Sequence, residues 1–584
     1  MGSLIISFIF TFNTLLVLAV SNPGWGGYPP GSFPSWPPFK PPPFPGGWPP
    51  FKPPPSSFPG WPPFKPPPTR QVDARTLSKC IKAPFSDFYS PNINKTTFTS
   101  VLNSTAQNFR CLDPSIRKPV IIFRPTDEGQ VPAVVKCAQL YNLNIRVRSG
   151  GHDYEGLSYI SLMKNQQFMI LDLYNLRDIS VDTQNRIAWV QAGATNGELY
   201  YNISQASNNL AFPAGLCSSL GIGGHLTGGG YGSMMRRYGL GADNVLDVRM
   251  VDAWGIVRSK ENMDDDLFWA LSGGGGGSFG IILAWKIRLV RVPSNVTMFT
   301  VVKTLEQNGT EILRRWQHVA PRIDSKLFIR VIMQVIPTGP TTSTVLSIYQ
   351  ALYLGDAKSL VRVMGAKFPE LGVTAGQCTE MSWIQSVMVI AGFNTTRYTP
   401  DYLLQHQPAF LSNYFKAKSD FLRTPMSTRA IEGMWKIFME QFPPSLMIWN
   451  PYGGMMGKIP EDATPFPHRK GVLCKIQYVA TWLDPSAASQ LRLEDWMREL
   501  YKYMGNYVSN DPREAYVNYR DLDIGKKEGT GSNCSHPEIW GPKYFKGNFQ
   551  RLVMVKTMVD PWNFFNHEQS IPSLMMPNKC TEVI

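Results

Sequence analysis

Histidine is scarce in this chain, with seven among 584 residues, and none of the eight cysteines stands in C-x-x-C spacing. A structural zinc site draws on such clustered ligands, so no metal centre is expected. Charge of one sign is not concentrated either. Lys and Arg number 57 against 43 Asp and Glu, a net +14 without any Lys/Arg-rich block. Nucleic-acid binding, which uses a basic stripe, is therefore not expected, whereas a diffuse positive surface suits an anionic matrix such as an acidic polysaccharide. No Walker A sequence is present. Long apolar runs are missing except for Leu4 to Val20, 17 uncharged residues at the short limit for a membrane span. Ala19-Val20-Ser21 then places small residues where a signal peptidase cuts. We read residues 1–21 as a cleaved secretory signal, leaving no membrane segment, with an uncleaved anchor as the alternative. Gly2 does not begin a myristoylation motif, since Ile6 stands where Ser or Thr is required.

What is abundant is proline, then glycine. "WPPFKPPP" begins at Trp36, Trp48 and Trp61 within a Pro-rich segment, 22–68. Such a segment holds the polyproline II conformation, three residues per turn, so Trp36 and Phe39 share a face, as do Trp48 and Phe51. It reads as a semi-rigid spacer or as a stacking surface for a wall polymer or partner. N-x-S/T sequons at Asn94, Asn103, Asn202, Asn295, Asn308, Asn394 and Asn533 agree with secretion and mark glycosylation candidates.

Folded sequence begins near Val72. "KPVIIF" (Lys118 to Phe123) predicts a buried strand, "DEGQVPAVVKCAQLYNLN" (Asp127 to Asn144) a helix, and "IRVRSGG" (Ile145 to Gly151) a strand entering a glycine turn. This β-α-β unit points to an α/β layer. "AWKIRLV" (Ala284 to Val290) alternates as a half-buried strand. From about 293 to 510, strands such as "LFIRVIMQVI" mix with helices such as that within Ser486 to Met504, predicting an α+β domain with an antiparallel sheet.

Chemistry concentrates where glycine does. Gly275, Gly277 and Gly280 satisfy G-x-G-x-x-G, yet a strand follows them instead of a helix, so the dinucleotide fingerprint fails. "GGGGG" (Gly273 to Gly277) and "FPAGLCSSLGIGGHLTGGGYG" (Phe212 to Gly232) bring bare N–H groups together, as a pyrophosphate nest or simply as tight turns. Within the second lies Cys217: half of a disulfide, a small buried hydrophobe, or a reactive group. His152, in "RSGGHDYEG" (Arg148 to Gly156), is a second reactive side chain flanked by glycine. The pair suggests covalent attachment of a cofactor.

These stretches, with "DLFWALSGGGGGSFG", "NYRDLDIG" and "YFKGNFQRLVMVKTMVDPWNFFNHEQSIP", resemble the plant berberine bridge enzyme-like family of FAD-linked oxidoreductases from about Val72 to Pro572. The resemblance is strongest to its monolignol-oxidising branch. It implies an α+β chain: a vanillyl-alcohol-oxidase-like (PCMH-type) FAD domain of two α/β subdomains, and a substrate domain whose antiparallel sheet is covered by helices. The FAD domain would have an N-terminal part at 69–115, its main part at 116–292 and a closing C-terminal segment at 511–575, with the substrate domain at 293–510. It implies FAD bound covalently through both His152 and Cys217, with Ser149, Gly150, Gly151, Gly223, Gly224, His225 and Gly229 also at the cofactor. It pairs Cys80 with Cys137. The seven cysteines other than Cys217 are odd in number, so at least one is free or intermolecular. The family usually has arginine where this chain has Ser272, and a small or turn residue at Trp254; both positions are expected near the cofactor.

Oxidising an allylic or benzylic alcohol needs a base for the hydroxyl proton. The alkaloid branch uses a glutamate; here the matching position is Gln477, which is no base. The monolignol branch uses tyrosines backed by a lysine, matching Tyr231, Tyr519 and Lys475. An ammonium beside a phenol lowers its pKa from about 10. Leu220, three residues beyond Cys217, matches the family's oxygen gate, in its larger, closed form. The expectation is a secreted, monomeric cell-wall dehydrogenase for small monolignol-type alcohols. The alternatives are oxidation of a sugar at its anomeric carbon, or a wall structural protein with an inactive oxidase domain.

Overall fold

The computed structural model describes residues 72–163, 166–405, 412–440, 445–527 and 537–576. The signal and Pro-rich readings, Asn533, Cys534 and Cys580 lie outside the described residues.

The first layer holds β1 (Phe88–Tyr89), β2 (Ile121–Phe123), β3 (Asn144–Arg148) and β4 (Phe168–Asp172), ordered β1-β2-β4-β3. β2, β4 and β3 are parallel, so β4 lies between the two strands of the expected β-α-β unit. The strand expected from Lys118 is only Ile121–Phe123: Pro119 has no amide to pair, and Val120 donates to the Phe168 carbonyl at 3.0 Å just before the strand begins. The helix is shorter than expected too. A 3₁₀ turn with an Asp127–Gln130 capping box precedes Val131–Leu140, and Asn142 ends it in the left-handed region at φ 52°. Val131, Val134, Val135 and Ala138 face the core at the i, i+3, i+4, i+7 spacing of one helix side. Cys80, on the helix Ala74–Ile81, is bonded to Cys137 on this one.

The second layer follows. It draws on β5 (Ile179–Asp182), β6 (Ile187–Gln191), β7 (Leu210–Ala211), β8 (Val245–Val251), β9 (Val257–Arg258), β10 (Ile281–Arg288) and β11 (Val290–Arg291). Five of these form an antiparallel sheet, β5-β6-β10-β8-β9, while β7 pairs with β11. Trp285 and Ile287 of β10 are buried and Arg288 is exposed, as its alternation predicts. Trp254 departs from expectation. It sits 41 % exposed on the β8–β9 turn, away from the glycine cleft, because Asp252 caps the turn through the amides of Trp254 and Ile256. Ser272 is buried at the end of the helix Asp265–Leu271, its hydroxyl donating to Phe268, and does not line the cleft either.

The third layer is one antiparallel sheet. Its strands are β12 (Val296–Thr304), β13 (Leu327–Pro337), β14 (Ser343–Tyr353), β15 (Thr379–Met381), β16 (Tyr414–Leu422), β17 (Leu446–Pro451) and β18 (Cys474–Trp482), ordered β15-β12-β14-β13-β17-β18-β16. Period 2 divides its faces. On β13, Ile329, Val331, Met333 and Val335 pack beneath the helices Gly309–Val319, Thr428–Met439 and Ala487–Met504, leaving Arg330 and Ile332 on the other side. The free edge of β16 is closed by the first layer. Asn413 accepts from the Phe109 amide at 2.9 Å, and the carbonyl of Phe415 accepts from Asn108 and Arg110 at 3.0 and 2.9 Å.

The chain then returns. Helices Pro537–Phe545 and Asn548–Val559 pack Trp540, Phe549 and Leu552 into the core that holds Leu267 and Trp269. The buried Lys556 ammonium locks this end, donating to the Ser278 and Phe565 carbonyls and to Asp560 at 2.6, 2.8 and 2.5 Å.

Candidate functional site

The C-terminal end of β3 turns sharply through Gly150 and Gly151 to reach His152. The chain here runs backbone to backbone against the 217–221 segment. A Cβ on Gly221 would lie 2.1 Å from the Gly150 amide nitrogen and from Ser149 Oγ, and one on Gly150 would lie 2.3 Å from the Gly221 nitrogen. Glycine is required at both for close approach. Ser149 is fixed from the far side by donating to the Ala192 carbonyl. The cleft so formed measures about 1130 Å³ including its open mouth. Ser149, Gly150, Gly151, His152, Leu220, Gly223, Gly224 and His225 all line it, with Gly276, Gly277 and His567 opposite. Gly224 has open space where its Cβ would be. Gly229 is not part of this lining; at φ 114° it forms a turn packed on Phe466.

His152 and Cys217, 65 positions apart in the chain, meet at one hydroxyl. Ser219 Oγ is 3.0 Å from His152 Nε2 and 3.4 Å from Cys217 Sγ. Desolvation holds the His152 pKa down to about 4, so its imidazole is neutral and nucleophilic. The same cause raises the Cys217 thiol, opposed by hydrogen bonds from Ser219 and Leu220. His225 is held down to about 3, by burial first and then by Lys475, and its Nε2 is buried without a partner. The Leu220 side chain lies over Gly215, where an added Cβ would come within 2.7 Å of its Cδ1.

FAD fits this cleft. Its floor is bare glycine backbone, and an unpartnered His225 nitrogen waits in its lining.

A second, aromatic wall stands beside this lining, outside it, and is joined to it through Asn518, which lines the cleft. Lys475 and Gln477 are two apart on β18 and so share a face. The Lys475 ammonium is fully buried and makes no hydrogen bond. It stands 3.0, 4.1 and 4.4 Å from the ring centroids of Tyr231, Tyr516 and Tyr519. Tyr231 and Tyr519 touch hydroxyl to hydroxyl. Tyr519 also stacks on Tyr154, centroids 5.1 Å apart and planes at 7°, and Gln477 Nε2 donates to the Tyr154 hydroxyl at 2.7 Å. Three tyrosines thus enclose one lysine, with Tyr154 stacked behind Tyr519, and the structure brings together all four residues proposed for catalysis.

Burial raises the Tyr231 phenol and pushes Lys475 well below its ordinary value. The simple picture of an ammonium lowering a phenol is therefore opposed by desolvation of both. Either hydroxyl can donate in this contact, which favours a lowered pKa at Tyr231 and a raised one at Tyr519; with Tyr519 donating, Tyr231 is the oxygen placed to carry charge. Arg330, on the same face of the sheet, also lowers Tyr231 and is held by the Gln350 side chain and the Ile390 carbonyl.

Sequence reasoning missed Tyr154, Tyr516 and Arg330. Tyr154 was visible two residues after His152, and Tyr516 three before Tyr519. Arg330 gave no signal beyond being a charge on an alternating strand. Asn518 was missed as well. It donates to the His225 carbonyl at 2.9 Å and to the Tyr516 hydroxyl at 3.0 Å, joining the two walls.

Comparison with known proteins shows the family. A family model described as FAD binding domain matches residues 119–259, and one described as berberine and berberine like matches 515–572. Monolignol oxidoreductase AtBBE-like 13 of Arabidopsis thaliana is 54% identical over 490 residues, 84% of this chain and 90% of that protein. Tetrahydroberberine oxidase of Berberis wilsoniae is 45% identical over 494 residues, 83% of this chain and 92% of that protein. Among solved structures, Phl p 4, a grass pollen allergen with glucose dehydrogenase activity, superposes with a TM-score of 0.79 at 43% identity, covering 86% of this chain and all of its own. A variant of berberine bridge enzyme matches with the same TM-score at 35% identity, over 85% of this chain and all of its own.

Proposed function

This chain belongs to the berberine bridge enzyme-like family of FAD-dependent oxidoreductases, and from that premise we propose that it oxidises monolignol-type alcohols to aldehydes, with FAD attached through His152 and Cys217. The observation that carries the substrate reading is the box of tyrosines around Lys475, with Gln477 where the alkaloid branch has a carboxylate.

Bound FAD would take the hydride from the carbinol carbon at its N5. The chain's own part is the proton. Passing the Tyr231 phenol proton to the Lys475 amine turns a neutral pair into a phenolate–ammonium pair of the same total charge. Burial penalises that pair less than either ion alone, and the two groups titrate as one unit. Tyr519, whose hydroxyl touches that of Tyr231, would steady the Tyr231 oxygen by donating to it. Tyr231 then takes the substrate hydroxyl proton as the carbinol C–H bond breaks, closing the balance at one proton and one hydride removed. Tyr154, oriented by Gln477, offers a flat apolar surface for the conjugated ring of the substrate.

Leu220 fills the space over Gly215 on the cleft wall, which supports a dehydrogenase shielded from oxygen. Within the family, wild-type Phl p 4 is described as a glucose dehydrogenase and a variant with valine replacing one isoleucine as a glucose oxidase. That allergen also supports a second reading, oxidation of a sugar at its anomeric carbon. The N-terminal run and the sequons support secretion as a glycosylated protein, and the same reading takes it to the cell wall as a monomer. Asn94, Asn103, Asn295 and Asn308 are exposed, whereas Asn202 lies half-buried in the helix Asn196–Ala206 with its Nδ2 donating to Glu198. The Pro-rich repeats would contact a wall polymer. Among the described residues no helix is long and apolar enough to cross a membrane.

The test is stopped-flow reduction of the purified flavoprotein. Rapid bleaching by coniferyl alcohol and slow bleaching by cellobiose is the expected result. The reverse order selects the sugar reading, and a colourless acid precipitate rejects covalent flavin.

A further inference from the structure

Burying ions brings little or no net stability compared with apolar packing. Yet a network of them lies directly behind the tyrosine box. Lys416, on β16, is 3 % exposed. Its ammonium donates to Glu155 Oε1 at 2.6 Å and to Asp521 Oδ1 at 2.8 Å. Glu155 follows Tyr154, and Asp521 is two residues beyond Tyr519. On the near side of the same two loops, Arg520 Nε donates to Asp153 Oδ2 at 2.7 Å. Each tyrosine of the Tyr154–Tyr519 stack is thus flanked by ties to the opposite loop. β16 grips from its other face as well, where the Phe415 ring meets Tyr154 edge-on at 5.3 Å.

We propose that Lys416 is a positioning residue: by clamping Glu155 to Asp521 it fixes the Tyr154–Tyr519 stack, and so holds the Tyr519 hydroxyl against Tyr231. The proposal rests on Tyr231 being the base. Other charges take part without replacing Lys416. Arg110 joins Glu155 to Glu494 on the helix Ala487–Met504, Lys418 binds Asp521 and Asp523, and Arg498 binds Glu494 and Asp523. Further along β16, Asp420 is tied to Arg513. Facing the tyrosines themselves are Lys475 from β18, Arg330 from β13, Tyr516 and Cys217, with His225 beyond Lys475. Among the described residues, Lys416 is the one cation from outside these two loops that is bonded to both.

The experiment uses the holoenzyme with Lys416→Met, Lys416→Arg and the charge-balanced double variant Lys416→Met/Glu155→Gln, which serves if the first does not fold. Flavin absorption is titrated with pH, a signal that responds to a neighbouring phenolate and needs no turnover. The limiting rate of reduction by coniferyl alcohol and Tm are measured beside it. Lys416→Met, or the double variant, is expected to move the midpoint up by about one unit, a tenfold fall in the ionisation constant. It also lowers the limiting reduction rate about tenfold at unchanged substrate Kd, and Lys416→Arg restores both. A lowered Tm with the midpoint unmoved overturns the proposal, as does the absence of any such titration in the wild type. If no alcohol reduces the wild-type flavin, the oxidation reading fails while the titration still decides the clamp.

Discussion

The glycine wall of the cleft and the tyrosine wall beside it hold their reactive groups by opposite means. The glycine wall uses backbone: Gly150 and Gly221 approach so closely that a methyl on either would overlap an amide, and His152 and Cys217 ride on that rigid contact. The tyrosine wall uses side chains drawn from far apart in the chain, stacked on one another and around a lysine with no carboxylate partner. The glycine wall fixes where a cofactor lies. The tyrosine wall fixes what proton chemistry is available, because every group in it is pushed toward its neutral form by burial.

Removing both reactive groups of the glycine wall gives the largest expected effect. The double variant His152→Ala/Cys217→Ala should lose covalent flavin entirely, while each single variant keeps it through one bond. Mass spectrometry of flavinylated peptides reads this directly. A single modified residue in the wild type would show that the wall carries one tether. On the tyrosine wall, Tyr231→Phe should lower the limiting rate of flavin reduction by about 10²–10⁴-fold, the usual contribution of general base catalysis, with little change in substrate Kd. A loss confined to Kd would make Tyr231 a binding residue and leave the second wall without its proposed chemistry.

The contrast explains what the sequence disclosed. The glycine wall is contiguous: His152 and Cys217 each lie inside a glycine-rich string, so residue type and spacing announce them. The seven-stranded sheet was also legible, since the period-2 burial of β13 is written in "LFIRVIMQVI". The tyrosine wall was legible only in part. Tyr154, Tyr516 and Arg330 stand on three separate elements, and nothing local marks a tyrosine as reactive instead of packed. Trp254 failed in the other direction. Its neighbourhood in the chain suggested the cofactor, but the Asp252-capped turn carries it to the surface. Lys416 was invisible, because a lysine in a strand reads as a solvent-facing residue until its two carboxylates are seen.

Leu220 sits on the glycine wall and tests whether that wall also excludes oxygen. In a close-packed interior one methylene opens or closes a small void. Leu220→Val should speed reoxidation of reduced flavin by O₂ about tenfold and leave alcohol oxidation nearly unchanged. Rapid reoxidation of the wild type in air-saturated buffer would make the enzyme an oxidase and remove the gate.

The smallest effect separates the walls most sharply, because it changes charge without touching either the phenol or the cofactor bed. In the wild type the competent phenolate–ammonium pair forms when the phenol–ammonium form loses one proton, and the ammonium remains to offset the new charge. In Lys475→Met the Tyr231 phenol must lose its proton to solvent. It would then stand as a buried anion helped only by Tyr519 and Arg330, both of which lower its pKa, against the desolvation that raises it. Activity rises with pH as the phenolate forms, so losing the cation moves the rising limb to higher pH, by about one unit or more if the lysine acts as nearby opposite charges commonly do. Below the shifted value the variant is slower than the wild type, and well above it the two converge. His225 gives an internal control on the other wall. Lys475 contributes to holding its pKa down, so the substitution should raise the imidazole's pKa, though burial keeps it neutral in the working range. A rate–pH profile that stays in place would detach Lys475 from Tyr231 and leave the tyrosines to share the proton among themselves.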